Sequence, residues 1–140
     1  MAVFNKFYCF VADVSNKTHN LGSDTLKILL TNTAPVATNA VKADLTEISA
    51  GNGYTAGGNA AALTSSSQTA GLYKLILANP ATWTAAGGSI GPFRYAALYN
   101  STAAAGNLVG YWDYGSAVTL ASGETFTATL DASAGVLQLT

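Results

Sequence analysis

The sequence predicts an all-β protein, an antiparallel sandwich or barrel of about eight strands with at most one short helix. Three observations carry this. Phe126, Ala128 and Leu130 alternate with Thr125, Thr127 and Thr129, which is the period of a strand. Aromatic-rich runs at 93–99 and 108–114 are bounded by Gly, Pro and Asn, as sheet interiors are. The many alanines sit among Gly, Ser, Thr and Asn, where no stripe of large apolar residues builds a helical face.

Taken in order, Val3 to Val14 reads as a long first strand, followed by the polar connection Ser15–Asn20 and a strand over Leu26–Leu30. Asp44 stands three residues before Glu47 in the manner of a capping box, and Leu45 and Ile48 share a face, so one helical turn is expected there. Four glycines between Gly51 and Gly58 stop it and predict an irregular loop with positive φ angles. Leu72–Leu77 is a further strand, and Trp83 marks a shorter one. Val118–Leu120, Thr125–Leu130 and Leu137–Leu139, separated by turn-rich segments, read as an antiparallel meander closing the chain.

At 140 residues the chain reads as a single β domain over 1–140, long enough to bury a core without disulfides or metal. Only 9% of its residues are charged while 49% are hydrophobic, and mean hydropathy is +0.27. An average globular protein carries about 25% charged residues, so a surface covered by copies of itself or by a partner is expected. A membrane span is excluded as the alternative, because Asn5, Lys6 and Asp13 break even the longest apolar run, far short of the roughly 20 residues a bilayer helix needs. The first residues lack the charged and apolar regions of a secretory signal. Six scattered basic residues and a net charge of −1 give no footprint for a nucleic-acid backbone.

Chemistry-bearing residues are few. Cys9 lies in the apolar run 7–11 and is expected to be a buried, inert thiol. His19 alone supplies no zinc ligand set and reads as a loop-ordering residue bonded to Asp24, and a Ser-His-Asp triad on it has no supporting motif. The loop Gly51–Gly58 matches no phosphate-binding fingerprint. Asp44 and Glu47, close enough to suggest paired carboxylates, are already explained by a helix start. No catalytic residue, metal or cofactor is therefore expected. Aromatics are the remaining candidates. Alternation places Trp112 and Tyr114 on one face and Tyr111 and Asp113 on the other, with Arg94 able to stack on an aromatic or pair with Asp113. Core packing is the leading role for this cluster, and the residues singled out as interface candidates are Tyr54, Trp83, Arg94, Tyr111 and Trp112.

Several phrases taken together resemble a family. They are His19 to Leu30, Ala43 to Ile48, Gly53 to Gly58, Trp83 to Ala85, Gly91 to Ala96 and Leu108 to Gly115. In this order, across nearly the whole chain, they resemble small virion structural proteins of tailed bacteriophages. The resemblance implies a capsid decoration or cement protein, assembled in the host cytoplasm onto the capsid surface. It implies the major capsid protein as partner and self-association as a trimer, with no nucleic acid and no membrane. A tail or fibre component that binds a host receptor or glycan through Trp83, Tyr111 and Trp112 is the competing binding role, and an enzyme acting on cell-wall sugar is the least supported.

Overall fold

The computed structural model describes residues 2–140. Strand β1 (Phe4–Lys6) leads into helix α1 (Cys9–Ser15), followed by β2 (Leu26–Thr31), a 3-10 turn (Lys42–Asp44), β3 (Asn59–Ala61), β4 (Leu63–Thr69) and β5 (Leu72–Leu77). Then come β6 (Trp83–Thr84), β7 (Ile90–Asn100), β8 (Leu108–Leu120), β9 (Thr125–Phe126) and β10 (Leu137–Leu139). A five-stranded sheet in the order β1-β8-β7-β2-β3 faces a three-stranded sheet β10-β5-β4, with the short pair β6-β9 beside them. Every strand pairing among the described residues is antiparallel, and the protein is all-β and sandwich-like without closing into a barrel.

The long strands β7 and β8 organise the molecule. Their alternating residues serve two faces, as a strand's geometry demands. Ile28, Leu30, Ala96, Leu98 and Trp112 point inward to meet Leu75, Leu77 and Leu137 of the second sheet and Trp83 of the third, in one buried cluster. Leu29, Ala97, Tyr99 and Leu108 point outward and are covered by Phe7 in a second, smaller cluster. On the inner side Gly110 of β8 makes room for the edge strand β1, because any Cβ there would collide with the Phe4 ring and with the backbone of Asn5.

Two expectations are overturned. Val3 to Val14 is not one strand, since pairing with β8 ends at Lys6 and the chain turns into α1. Phe7, before the helix begins, packs in the outer cluster, while Phe10 and Val14, four apart on one face of α1, join the inner one. The closing meander is also absent. Val118 and Leu120 extend β8 along β7, Thr125–Phe126 pairs with β6, and Leu137–Leu139 pairs with β5, so three tail segments find three different partners. Burial still follows the predicted alternation, with Ala128 and Leu130 interior. Leu130 lacks a ladder partner and instead donates its N–H to Asn79 Oδ1 at 2.8 Å.

Candidate interaction face

The outer side of the five-stranded sheet is only partly roofed. Residues 36–45 cross it as a strap, anchored where Tyr8 N–H donates to Ala37 O (2.9 Å), Leu108 N–H to Ala40 O (3.0 Å) and Lys42 N–H to Gly106 O (2.9 Å). Leu45 packs down onto the Phe7 cluster. Asp44 holds the strap's bend by accepting the backbone N–H groups of Ala40 (2.9 Å) and Val41 (3.2 Å), which lowers its carboxyl pKa. The expected helix beginning at Asp44 is thus a 3-10 turn ending there, and its cap reaches backward to residues 40 and 41.

Glu47 has a different task from the one its spacing suggested. Its Oε2 accepts the Tyr54 hydroxyl (2.6 Å) and the Gly57 N–H (2.6 Å), and Lys42 Nζ lies 3.5 Å from Oε1. Tyr54 in turn accepts the Leu30 N–H at 3.1 Å, and Tyr99 donates its hydroxyl to Gly57 O at 2.7 Å. One carboxylate therefore pins the glycine loop to the sheet. Burial, and then the bond to Glu47, raise the Tyr54 pKa far above that of a free phenol. Gly58, at φ 73°, lies so close to the backbone at Ile28 that no Cβ fits.

Beyond the strap the sheet face is half-open, and here Arg94, Tyr95, Tyr111 and Asp113 come together. Tyr95 pairs with Asp113 across β7 and β8, and Tyr111 with Ala97. Arg94 binds Asp113 through two nearly parallel bonds, Nε to Oδ1 at 2.7 Å and Nη2 to Oδ2 at 3.0 Å, while its guanidinium lies 5.3 Å from the centre of the Tyr95 ring. The fork lowers the Asp113 pKa, helped by the Gly115 N–H. Tyr111 leans on Phe7 with ring centres 5.2 Å apart. At the helix end of this side, Tyr8 (69% exposed), Val11 (53%) and Val36 (58%) stand in solvent around the strap's first anchor.

Three of the five interface candidates lie elsewhere. Trp83 is 1% exposed, stacked between Tyr54 and Phe126 in the inner core, and its Nε1 has no hydrogen-bond partner. Tyr54 is consumed by the Glu47 pin, and Trp112 points inward against Phe4. These aromatics fill the gap between the sheets, where their area stabilises most. Arg94 and Tyr111 remain on the accessible face. The exposed Tyr8, Val11 and Val36 carry no sequence signal, because each sits in a segment whose path is set by tertiary pairing.

His19 is interior, and the expected tie to Asp24 runs through Asn100. Asn100 Nδ2 donates to His19 Nδ1 (3.0 Å) and to Asp24 Oδ2 (2.6 Å), while its Oδ1 accepts the N–H groups of Thr102 (2.9 Å) and Ala103 (3.2 Å). All four hydrogen-bonding positions of the amide are filled, which fixes its orientation and leaves the proton of neutral His19 on Nε2. That nitrogen is buried, with Asp13 Oδ2 3.9 Å away, and desolvation lowers the His19 pKa against the pull of Asp13 and Asp24. Phe10 stacks on the ring at 5.4 Å. Cys9 is half-buried rather than buried, and its S–H points at the Ala40 and Leu108 carbonyls, both at 3.6 Å; burial raises its pKa. Among the described residues no three of His, Cys, Asp and Glu come together in a geometry suited to a metal ion. No protein-family model, curated protein or solved structure matches this chain.

Proposed function

We propose that this protein is a structural component of a tailed-phage virion, a capsid decoration protein that binds the assembled lattice of the major capsid protein and stabilises the shell. The observation that carries the reading is the character of the accessible surface. Charged residues are 9% of the chain, and the Arg94 and Asp113 charges are already paired with each other. Large apolar side chains stand in solvent at Tyr8, Val11 and Val36 instead of the polar residues a free monomer would present. Such a surface suits cover by a neighbouring protein, and the ordered run of virion-like sequence phrases supports the same reading. A protein that binds only the assembled shell adds its binding free energy to shell stability by linkage.

Quantitative mass spectrometry of purified particles tests this, with a copy number that scales with the capsid lattice as the expected result. Particles stripped of the protein lose resistance to heat and osmotic shock. A handful of copies per particle, or none, overturns the proposal. The tail or fibre alternative draws less support, since Trp83 and Trp112, two of the three aromatics offered to a glycan, are interior.

A further inference from the structure

We infer that β4 is a self-association edge, at which two copies of this chain join their three-stranded sheets into one six-stranded sheet across a twofold axis at Ser66. The inference does not rest on the capsid reading. Strand β4 pairs with β5 on one side only and forms the outer edge of its sheet. It is seven residues long, whereas the other edge strands β1, β3 and β10 have three each. Its sequence, Leu63-Thr64-Ser65-Ser66-Ser67-Gln68-Thr69, holds no charge and no proline, and the one edge-blunting device it carries, a register shift at Thr64, lies at its start and leaves Ser65–Thr69 in regular register with β5. Leu63 is 41% exposed at its start.

The turn fixes which main-chain groups are free. Ala70 (φ 52°) and Gly71 (φ 83°) form a two-residue type I′ turn, so Thr69 and Leu72 are its hydrogen-bonded closing pair. By alternation Ser67 and Ser65 bond to β5, and the N–H and C=O groups of Ser66 and Gln68 face away from it. Among the described residues no loop backbone reaches those groups. An extended strand is the ligand that satisfies such a row. A second copy fits best, because the strand is nearly symmetric about Ser66: Ser65 falls opposite the partner's Ser67, and with no charges present nothing opposes the pairing. A dyad at Ser66 also sets the regular stretches of the two strands side by side, with the register shift at Thr64 opposite the partner strand's far end.

The side chains of Ser65 and Ser67 share the outer face of the sheet, away from the core, so charges placed there leave the fold intact, and Lys74, paired with Ser67, balances a carboxylate at 67. Sedimentation equilibrium on the wild-type chain is expected to give a monomer–dimer equilibrium. S65E/S67E sets like charges opposite each other on both sides of the axis and weakens the dimer by about tenfold or more, whereas S65K/S67E sets opposite charges there and restores it. In residue-resolved hydrogen exchange on the wild type, the Ser66 and Gln68 amides gain protection as concentration rises, while those of Ser65 and Ser67 are protected throughout. A monomer at all concentrations, a trimer, a dimer indifferent to both variants, or failure of S65K/S67E to restore what S65E/S67E weakens would each overturn the pairing.

Discussion

The two sides of the five-stranded sheet are held by different physics. The inner side is a continuous apolar cluster reaching all three sheets, with an aromatic chain from Tyr54 through Trp83 and Phe126 to Phe93 and Tyr114. It is stabilised by removing area from water, a force that needs no particular partner. The outer side buries few large residues and is fixed by polar pins, Asp44 at the strap and Glu47 at the glycine loop, while a third pin, Asn100, holds the β7–β8 connection at the end of β7. The Glu47 and Asn100 pins satisfy groups that would otherwise be buried without partners, so their worth lies in what their loss exposes, whereas Asp44 works in solvent. A protein of this size can therefore spend few large residues on its outer side and still hold a defined surface there.

The largest effect should come from truncating the inner side. Leu98 and Leu29 are both wholly buried, on adjacent strands, one facing each side. Leu98→Ala leaves a cavity among residues of several elements that cannot all move in, and is expected to cost about 4 kcal/mol by denaturant unfolding. Leu29→Ala faces a small cluster beneath a strap that can settle, and about 2.5 kcal/mol is expected. Equal losses would show that the strap is as rigid as a sheet.

Next come the pins. Asn100→Ala leaves the Asp24 and His19 acceptors and two backbone N–H groups without their partner, and roughly 2–3 kcal/mol of stability should be lost. Glu47→Ala strands the Tyr54 hydroxyl and the Gly57 N–H, for a loss of about 2 kcal/mol, with faster amide exchange confined to 53–58. Both losses should be more local in hydrogen exchange than that of Leu98→Ala. A global loss of protection from Glu47→Ala would mean that the loop belongs to the core's cooperative unit.

How much of this was legible in the sequence follows the same division. Period two places Trp112 and Tyr114 on one face and Tyr111 on the other, and the structure keeps that division; in the continuous run Ile28-Leu29-Leu30 no alternation is visible, and only the tertiary packing shows that Leu29 faces outward. The Arg94–Asp113 pair was foreseeable from the chemistry of a lone guanidinium in an aromatic run. The pins were not. Glu47 lies near Asp44 in sequence and suggested a helix start, but its partner Tyr54 is reached only because residues 46–48 come alongside β2, where Ile48 N–H donates to Leu30 O. The helix α1 was hidden because Phe7-Tyr8-Cys9-Phe10-Val11 is rich in β-formers, and its two phenylalanines serve opposite sides of a sheet the local sequence does not contain.

The smallest effect expected is a pH dependence that reports on a pin. Desolvation lowers the pKa of His19 in the folded protein below its ordinary value near 6.5, while in the unfolded chain the ring keeps that value. Between the two the unfolded state binds more protons, so the contribution is present above about pH 6.5 and is lost as pH falls from there to the folded pKa. Protonation would also remove the Nδ1 acceptor from Asn100. The groups facing the ring, Asp13 on α1 and Asp24 in the following loop, pull the other way and keep the effect modest. Thermal unfolding between pH 7.5 and 5 should show a falling midpoint in the wild type and a flatter profile in His19→Gln. A midpoint that rises toward pH 5 would mean that Asp13 and Asp24 outweigh burial, and that this pin is an ion pair in the folded state.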